Sequence, residues 1–273
     1  MQLDALWKEV RTEVDSFLDG FLPPAECRPS ILNRAMRYAV FPGGKRVRPL
    51  LVYLGYELER GEYPFGNEQV IRTASAIELI HTFTLVHDDL PALDNDACRR
   101  GKPAVHKEFG EDVAILAGDA LFAYAVALLS DVDGKVRKII IDSLKGVIEG
   151  QILDLREEIR TAEEVLLVHR YKTGELMKAS LLSGYLIANG KEVDVVEEVA
   201  YSFGKIFQIT DDIMDAAEGK VERASIIRFM SIDEAGELVR NELSKALDLI
   251  DGAFGGRGKL LKELFELVAQ RVK

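Results

Sequence analysis

The chain has 273 residues, 48% of them hydrophobic and 30% charged, enough apolar material for a large core beneath a charged surface, which excludes a disordered chain. A net charge of −11 excludes the broad basic face that holds nucleic acid. The two cysteines, Cys27 and Cys98, lack metal-type spacing and suit ordinary thiols in a reducing compartment, so a cytoplasmic protein is expected.

Apolar residues recur at spacings of three and four along most of the chain, and β-branched alternation is nearly absent. The expectation is an all-α fold in a single domain, residues 1–273. Residues 1–18 predict an amphipathic helix without the basic start and apolar stretch of an export leader. Breaks follow at Leu22-Pro23-Pro24 and at Phe41-Pro42-Gly43-Gly44. Lys45, Arg46 and Arg48 come directly after those glycines, which let backbone approach an anion, and Pro49 opens the next helix. The run is no P-loop, because no glycine lies at the required upstream spacing and no Ser or Thr follows Lys45.

After a turn at Tyr63-Pro64-Phe65-Gly66, a helix that is apolar around most of its circumference is predicted from about Ile71 to Leu90. His81, Thr84 and Asp88 draw a polar stripe along it. Pro91 stops this helix, leaving Asp88-Asp89 at its end and Asp94 and Asp96 on the turn beyond. A solvated acidic end is the plain alternative, although acids there oppose the helix dipole. Arg99, Arg100, Lys102, His106 and Lys107 gather around Gly101-Lys102-Pro103, and adjacent guanidinium groups suit phosphate oxygens. The most apolar run, Val113 to Leu129, is interrupted by Gly118 and Asp119, so no segment is expected to span a bilayer.

Beyond a break at Asp131-Val132-Asp133-Gly134, Lys172-Thr173-Gly174 sets a cation beside a hydroxyl and a glycine. A turn at Asn189-Gly190 precedes a second greasy helix, about Val195 to Ala217, on which Gln208, Asp211, Asp212 and Asp215 are read onto one face. Crowded carboxylates repel unless a proton, a basic partner or a cation compensates. Carboxylates without thiol or imidazole favour a hard ion, and Mg²⁺ takes few of them together with water and phosphate oxygens, which implies a diphosphate ligand. A last break falls at Gly255 to Gly258.

Taken in order, these stretches resemble the trans-isoprenyl diphosphate synthases, the bacterial farnesyl diphosphate synthases (geranyltranstransferases) above all. The matching residues run from Gly43 to Pro49, from His81 through Asp88, Asp89, Asp94 and Asp96, from Arg99 to Pro103, and from Ala117 to Leu121. They continue at Gly150-Gln151 with Asp154-Leu155, at Lys172 to Gly174, and from Phe207 to Asp215. The resemblance implies one helical bundle of the isoprenoid synthase type with a central active-site cavity, working as a homodimer. It further implies a Mg²⁺-dependent condensation of isopentenyl diphosphate with dimethylallyl or geranyl diphosphate, yielding farnesyl diphosphate and pyrophosphate. Asp88, Asp94 and Asp211, the last assisted by Asp212 or Asp215, would hold three Mg²⁺, for which Mn²⁺ can substitute. Arg99, Lys172, Thr173 and Gln208 would bind the allylic diphosphate, and Lys45, Arg48, His81 and Arg100 that of isopentenyl diphosphate. Asp88, Asp94, Asp211, Lys172 and Arg99 would be the catalytic set, and Phe83 the floor that limits chain length. A geranyl or geranylgeranyl diphosphate synthase and a non-catalytic partner subunit are the alternatives. A terpene cyclase would not need Lys45, Arg48 and Arg100. The family's usual lysines after its second aspartate motif are missing, with Lys220 and Arg223 as substitutes.

Overall fold

The computed structural model describes residues 2–41 and 43–272, so Pro42, within the expected break at 41–44, lies outside the described residues. Twelve α-helices are described: α1 (Leu3–Phe21), α2 (Ser30–Val40), α3 (Val47–Arg60), α4 (Glu68–Asp88), α5 (Val105–Phe109) and α6 (Glu111–Ser130), then α7 (Gly134–Arg156), α8 (Ala162–His169), α9 (Glu175–Ile187), α10 (Val193–Ala217), α11 (Ile232–Phe254) and α12 (Lys259–Ala269). Among the described residues the only strands are β1 (Cys98–Arg99) and β2 (Lys102–Pro103), paired antiparallel. The chain is all-α, as expected. It divides into two compact units, an amino-terminal one (Asp4–Leu50 and Phe65–Arg137) and a carboxy-terminal one (Met1–Leu3, Leu51–Pro64 and Lys138–Lys273).

In the amino-terminal unit, α1 buries Leu6, Val10, Val14 and Leu18, one residue per turn, as its amphipathic pattern dictates. The long helix α4 starts where the Asn67 side chain accepts the Gln69 and Val70 N–H groups. It ends at Asp88, two residues before the expected Leu90 and three before Pro91. Its middle is buried on nearly every side, which is why its sequence shows so little amphipathic bias. Helix α6 lies close to it, since a Cβ on Gly118 would stand 2.1 Å from His87 Nε2. Contrary to expectation, α6 is by length and composition apolar enough to cross a bilayer, because a single Asp119 hardly dilutes its central stretch. Ala114, Ala117, Leu121, Ala125 and Leu128 are its buried face.

In the carboxy-terminal unit, α3 and α9 cross with almost nothing between their backbones. A Cβ on Gly55 would lie 2.0 Å from Leu181 O, and one on Gly184 1.8 Å from Val52 O. Helix α10 buries Val196, Val199, Phe203 and Ile206 completely, the apolar row that precedes its acids. Capping boxes Thr161/Glu164 and Ser231/Glu234 start α8 and α11. Between α8 and α9 the chain widens into one π-helical turn, Arg170–Gly174.

Candidate active site

The amino-terminal unit carries the first acid cluster and the two basic segments. The turn after α4 folds back so that Asp94 N–H donates to Asp88 O at 2.9 Å, bringing those two carboxyl-bearing residues into one loop. Asp88 is half-buried and Asp94 exposed. Asp89 is buried and differs in kind: Arg99 Nε donates to its Oδ1 at 2.8 Å, and the same guanidinium also grips Asp96. Burial pushes Asp89 above the usual carboxylate range, and the Arg99 hydrogen bonds oppose that rise. The structure thus sets Asp89 and Asp96 to hold Arg99 in place, with half-buried Asp88 acting electrostatically on the same guanidinium and Asp94 exposed on the turn.

The β1–β2 hairpin turns through Arg100 and Gly101, both at positive φ (53° and 74°), the geometry of a two-residue turn. Arg99 is thereby sent toward the acids and Arg100 toward the other basic segment, where its Nη1 donates to Gly43 O at 2.7 Å. Gly44 leaves the room for this, since a Cβ there would stand 3.0 Å from the Arg100 guanidinium. Sequence reasoning gave the glycine to an anion; here a cation occupies its face. Arg46 is not among the phosphate-facing groups. It is buried at φ 50°, donating to Asp15 at 2.9 Å, Glu78 at 2.6 Å and Val40 O at 2.7 Å, and so fixes the loop from beneath. Helix α3 opens at Val47 rather than at Pro49, which occupies its first turn.

Lys45 is exposed, and Arg48 and His81 are part-buried. Burial lowers Arg48 to about 10, with Glu78 and Arg100 acting in opposite directions, so it stays cationic near neutrality. Burial and the field of Arg48, Arg100, Arg46 and Arg99 push His81 well below its ordinary value, so its imidazole is neutral there and serves as a hydrogen-bonding group. Thr84, on the predicted stripe, donates back to His81 O at 2.9 Å.

The second cluster belongs to the carboxy-terminal unit. The π-turn sets Lys172 Nζ 2.8 Å from Asp154 Oδ2, while Thr173 Oγ1 donates to Gln208 Oε1 at 2.9 Å. Gly150 lets α7 approach the π-turn, because a Cβ there would meet the Lys172 backbone nitrogen at 2.4 Å. Asp211 pairs with Arg271 at 2.8 Å. Asp212 does not share the face of Asp211 and Asp215: it is buried, accepts the Ile226 N–H at 2.7 Å, and lies 3.5 Å from His169 Nε2. Burial pushes Asp212 up to about 7, and pushes buried His169 down to about 4, so the histidine is neutral and donates from Nε2 to Ala224 O at 2.8 Å. His169 escaped sequence reading, since no spacing ties it to an acid so far along the chain. Of the two substitutes for the missing lysines, Arg223 is committed to the Leu155 and Glu157 carbonyls and Lys220 pairs with Glu218.

Among the described residues, no three or more His, Cys, Asp or Glu side chains converge as a ready-made metal cage. The donor set still fits Mg²⁺, which takes one or two carboxylates and completes its shell with water and phosphate oxygens. Half-buried Asp88 and exposed Asp94, oxygen donors joined in one turn, have that character.

The sequence matches the polyprenyl synthetase family over residues 29–223, a stretch running through both compact units. It is 35% identical to geranylgeranyl pyrophosphate synthase 4 of Arabidopsis thaliana, covering 94% of this chain and 75% of that one. It is 39% identical to farnesyl diphosphate synthase of Geobacillus stearothermophilus, covering 82% and 78%. The solved structure of an FPP/GFPP synthase from Zymomonas mobilis is similar at a TM-score of 0.86 and 32% identity, over 98% of both chains. Fold, residues and relatives agree: the chain belongs to the polyprenyl synthetase family and is a trans-prenyltransferase of the isoprenyl diphosphate synthase kind.

Proposed function

We propose that the protein condenses isopentenyl diphosphate with dimethylallyl or geranyl diphosphate, in a Mg²⁺-dependent reaction whose main product is farnesyl diphosphate. The observation that carries this reading is the turn that joins Asp88 to Asp94 while Asp89 and Asp96 aim Arg99 beside them. Carboxylates gathered in one turn and a guanidinium fixed next to them suit a departing diphosphate bridged by metal. When bound there, Mg²⁺ neutralises charge developing on the leaving group.

Asp88 and Asp94 would hold metal in the amino-terminal unit, and Asp211, assisted by Asp215, would hold it in the carboxy-terminal unit. Arg99, Lys172, Thr173 and Gln208 bind allylic diphosphate oxygens, with Asp154 orienting Lys172. Lys45, Arg48 and Arg100 bind isopentenyl diphosphate, and neutral His81 adds a hydrogen bond. Fixed cations of this kind lower the barrier to C–O cleavage because they need no reorganisation as charge develops. The alkene then attacks the allylic cation, and departing pyrophosphate takes the proton released. A second reading, a twenty-carbon product, is favoured by the similarity to a geranylgeranyl pyrophosphate synthase along nearly the whole chain.

The test is to incubate purified protein with isopentenyl diphosphate and each of dimethylallyl, geranyl and farnesyl diphosphate, with Mg²⁺ or with chelator, and to identify the chain lengths formed. Prenyl transfer that chelator abolishes, and that Asp88→Asn or Asp94→Asn slows by about a hundredfold, is expected. No prenyl product, or turnover indifferent to chelator, would overturn the proposal. A predominance of twenty carbons would select the second reading.

A further inference from the structure

The segment after the second acid cluster is short, and it is fastened within the carboxy-terminal unit at three places. Asp212 Oδ2 accepts the Ile226 N–H at 2.7 Å. His169 Nε2 donates to Ala224 O at 2.8 Å and stands 3.5 Å from that same Oδ2. Arg223 gives one terminal nitrogen to Leu155 O at 2.6 Å and the other to Glu157 O. Ser225 and Ile226 are buried, and the Ser225 hydroxyl accepts the Ile227 N–H. Backbone, a neutral ring and a guanidinium therefore seat one stretch of chain against the ends of α7, α8 and α10.

Helix geometry separates the three aspartates. Asp211 and Asp215 are four residues apart and lie one above the other, whereas Asp212 is turned about 100° away. A Mg²⁺ ligand must leave space for the waters that the ion retains. The Asp212 side chain is only 10% exposed, and one of its oxygens is taken by the segment it faces.

We propose that Asp212 is a positioning residue, the anchor of a fixed strap at residues 219–228, and that Asp211 and Asp215 supply the metal oxygens of α10 without it. The half of this proposal that concerns metal rests on the prenyltransfer reading; the half that concerns the strap does not.

Two measurements separate the halves. The first is cleavage of metal-free protein by a protease specific for glutamate, after Glu218 and Glu222, mapped by mass spectrometry. The second is calorimetric binding of inorganic pyrophosphate in Mg²⁺. Asp212→Asn keeps an oxygen that can accept the Ile226 N–H, so it should be cleaved as slowly as wild type, with pyrophosphate affinity within about twofold. Asp212→Ala should open the strap and raise cleavage by about tenfold or more. Should that variant fail to fold, Arg223→Ala loosens the same segment from its other end and should give the same rise, with pyrophosphate affinity kept. Asp211→Asn should weaken pyrophosphate binding by about tenfold or more while its strap remains protected. Asp212→Asn weakening binding as much as Asp211→Asn would overturn the proposal, as would unchanged cleavage in Asp212→Ala or, if that does not fold, in Arg223→Ala. Wild type that makes no prenyl product but shows this cleavage pattern would sink the functional reading and leave the strap standing.

Discussion

Phe83 sits five residues before Asp88 on α4, about 7.5 Å back along the helix, with its ring 5.3 Å from that of Phe122 and 5.8 Å from that of His87. Core packing accounts for those contacts, and a floor under a growing chain would need the same rigidity. Phe83→Ala is expected to remain active and to shift products toward longer chains; an active variant with wild-type products would refute the ruler. Glu57, on α3, makes a prediction of its own. It is 7% exposed, its Oε2 is buried without a partner, and burial raises it from 4.5 to about 7 against the pull of Arg257. Below pH 4.5 both folded and unfolded chains hold the proton and no penalty exists. Between 4.5 and 7 only the unfolded chain releases it, so stability falls as pH rises, by at most about 3 kcal/mol. Glu57→Gln should melt higher than wild type at pH 7.5 and about equally at pH 4.5, and equal melting at both would remove the claim. Sequence order made Asp88, Asp94 and Arg99 visible as candidates because their partners are near neighbours. It named Asp154 without its partner Lys172 and left His169 and its bond to Ala224 unseen, pairings that only folding creates.

Helix identity was readable wherever the apolar spacing ran long, and ends were readable where a chemical stop was present. Pro91 placed the end of α4 within two residues, whereas the cap at Asn67 put its start before the expected Ile71. The π-turn at Arg170–Gly174 left no trace in the spacing, because one extra residue per turn changes the facing of side chains without changing their character. That turn nevertheless aims Lys172 and Thr173 at different partners, Asp154 and Gln208. Nor did the sequence distinguish glycines at turns from those at crossings. Gly184→Ala would drive a methyl group to 1.8 Å from Val52 O, so α3 and α9 must part. A loss of about 3 kcal/mol is expected in urea unfolding. Gly20→Ala on α1, with nothing within 4 Å, should be neutral or stabilising; the prediction fails if the two variants unfold alike.

For the molecule as a whole, α6 presents solvent with Leu116 (58% exposed), Val126 (49%), Ile115 (46%) and Phe122 (38%), an apolar face opposite its buried one. Exposed apolar surface of this extent on one helix marks an interaction face. We propose that a second copy of the chain covers it, in line with the homodimer that the family resemblance implies. Light scattering should give twice the 30.4 kDa chain mass. Leu116→Glu with Val126→Glu should give a folded monomer; wild type that is monomeric at micromolar concentration would refute the pairing. The expectation of one domain over residues 1–273 becomes a matter of cooperativity, a single calorimetric transition. The turn at Arg100 bears on how such a protein changes over generations. A side chain at φ 53° costs about 1 kcal/mol that glycine would not. Selection for heat resistance alone would erode Arg100, whereas Arg46 at φ 50° is kept by its buried pairs with Glu78 and Asp15. Lineages that move to hot habitats must therefore find their added stability away from this turn, and turnover, not melting temperature, keeps a guanidinium group in it.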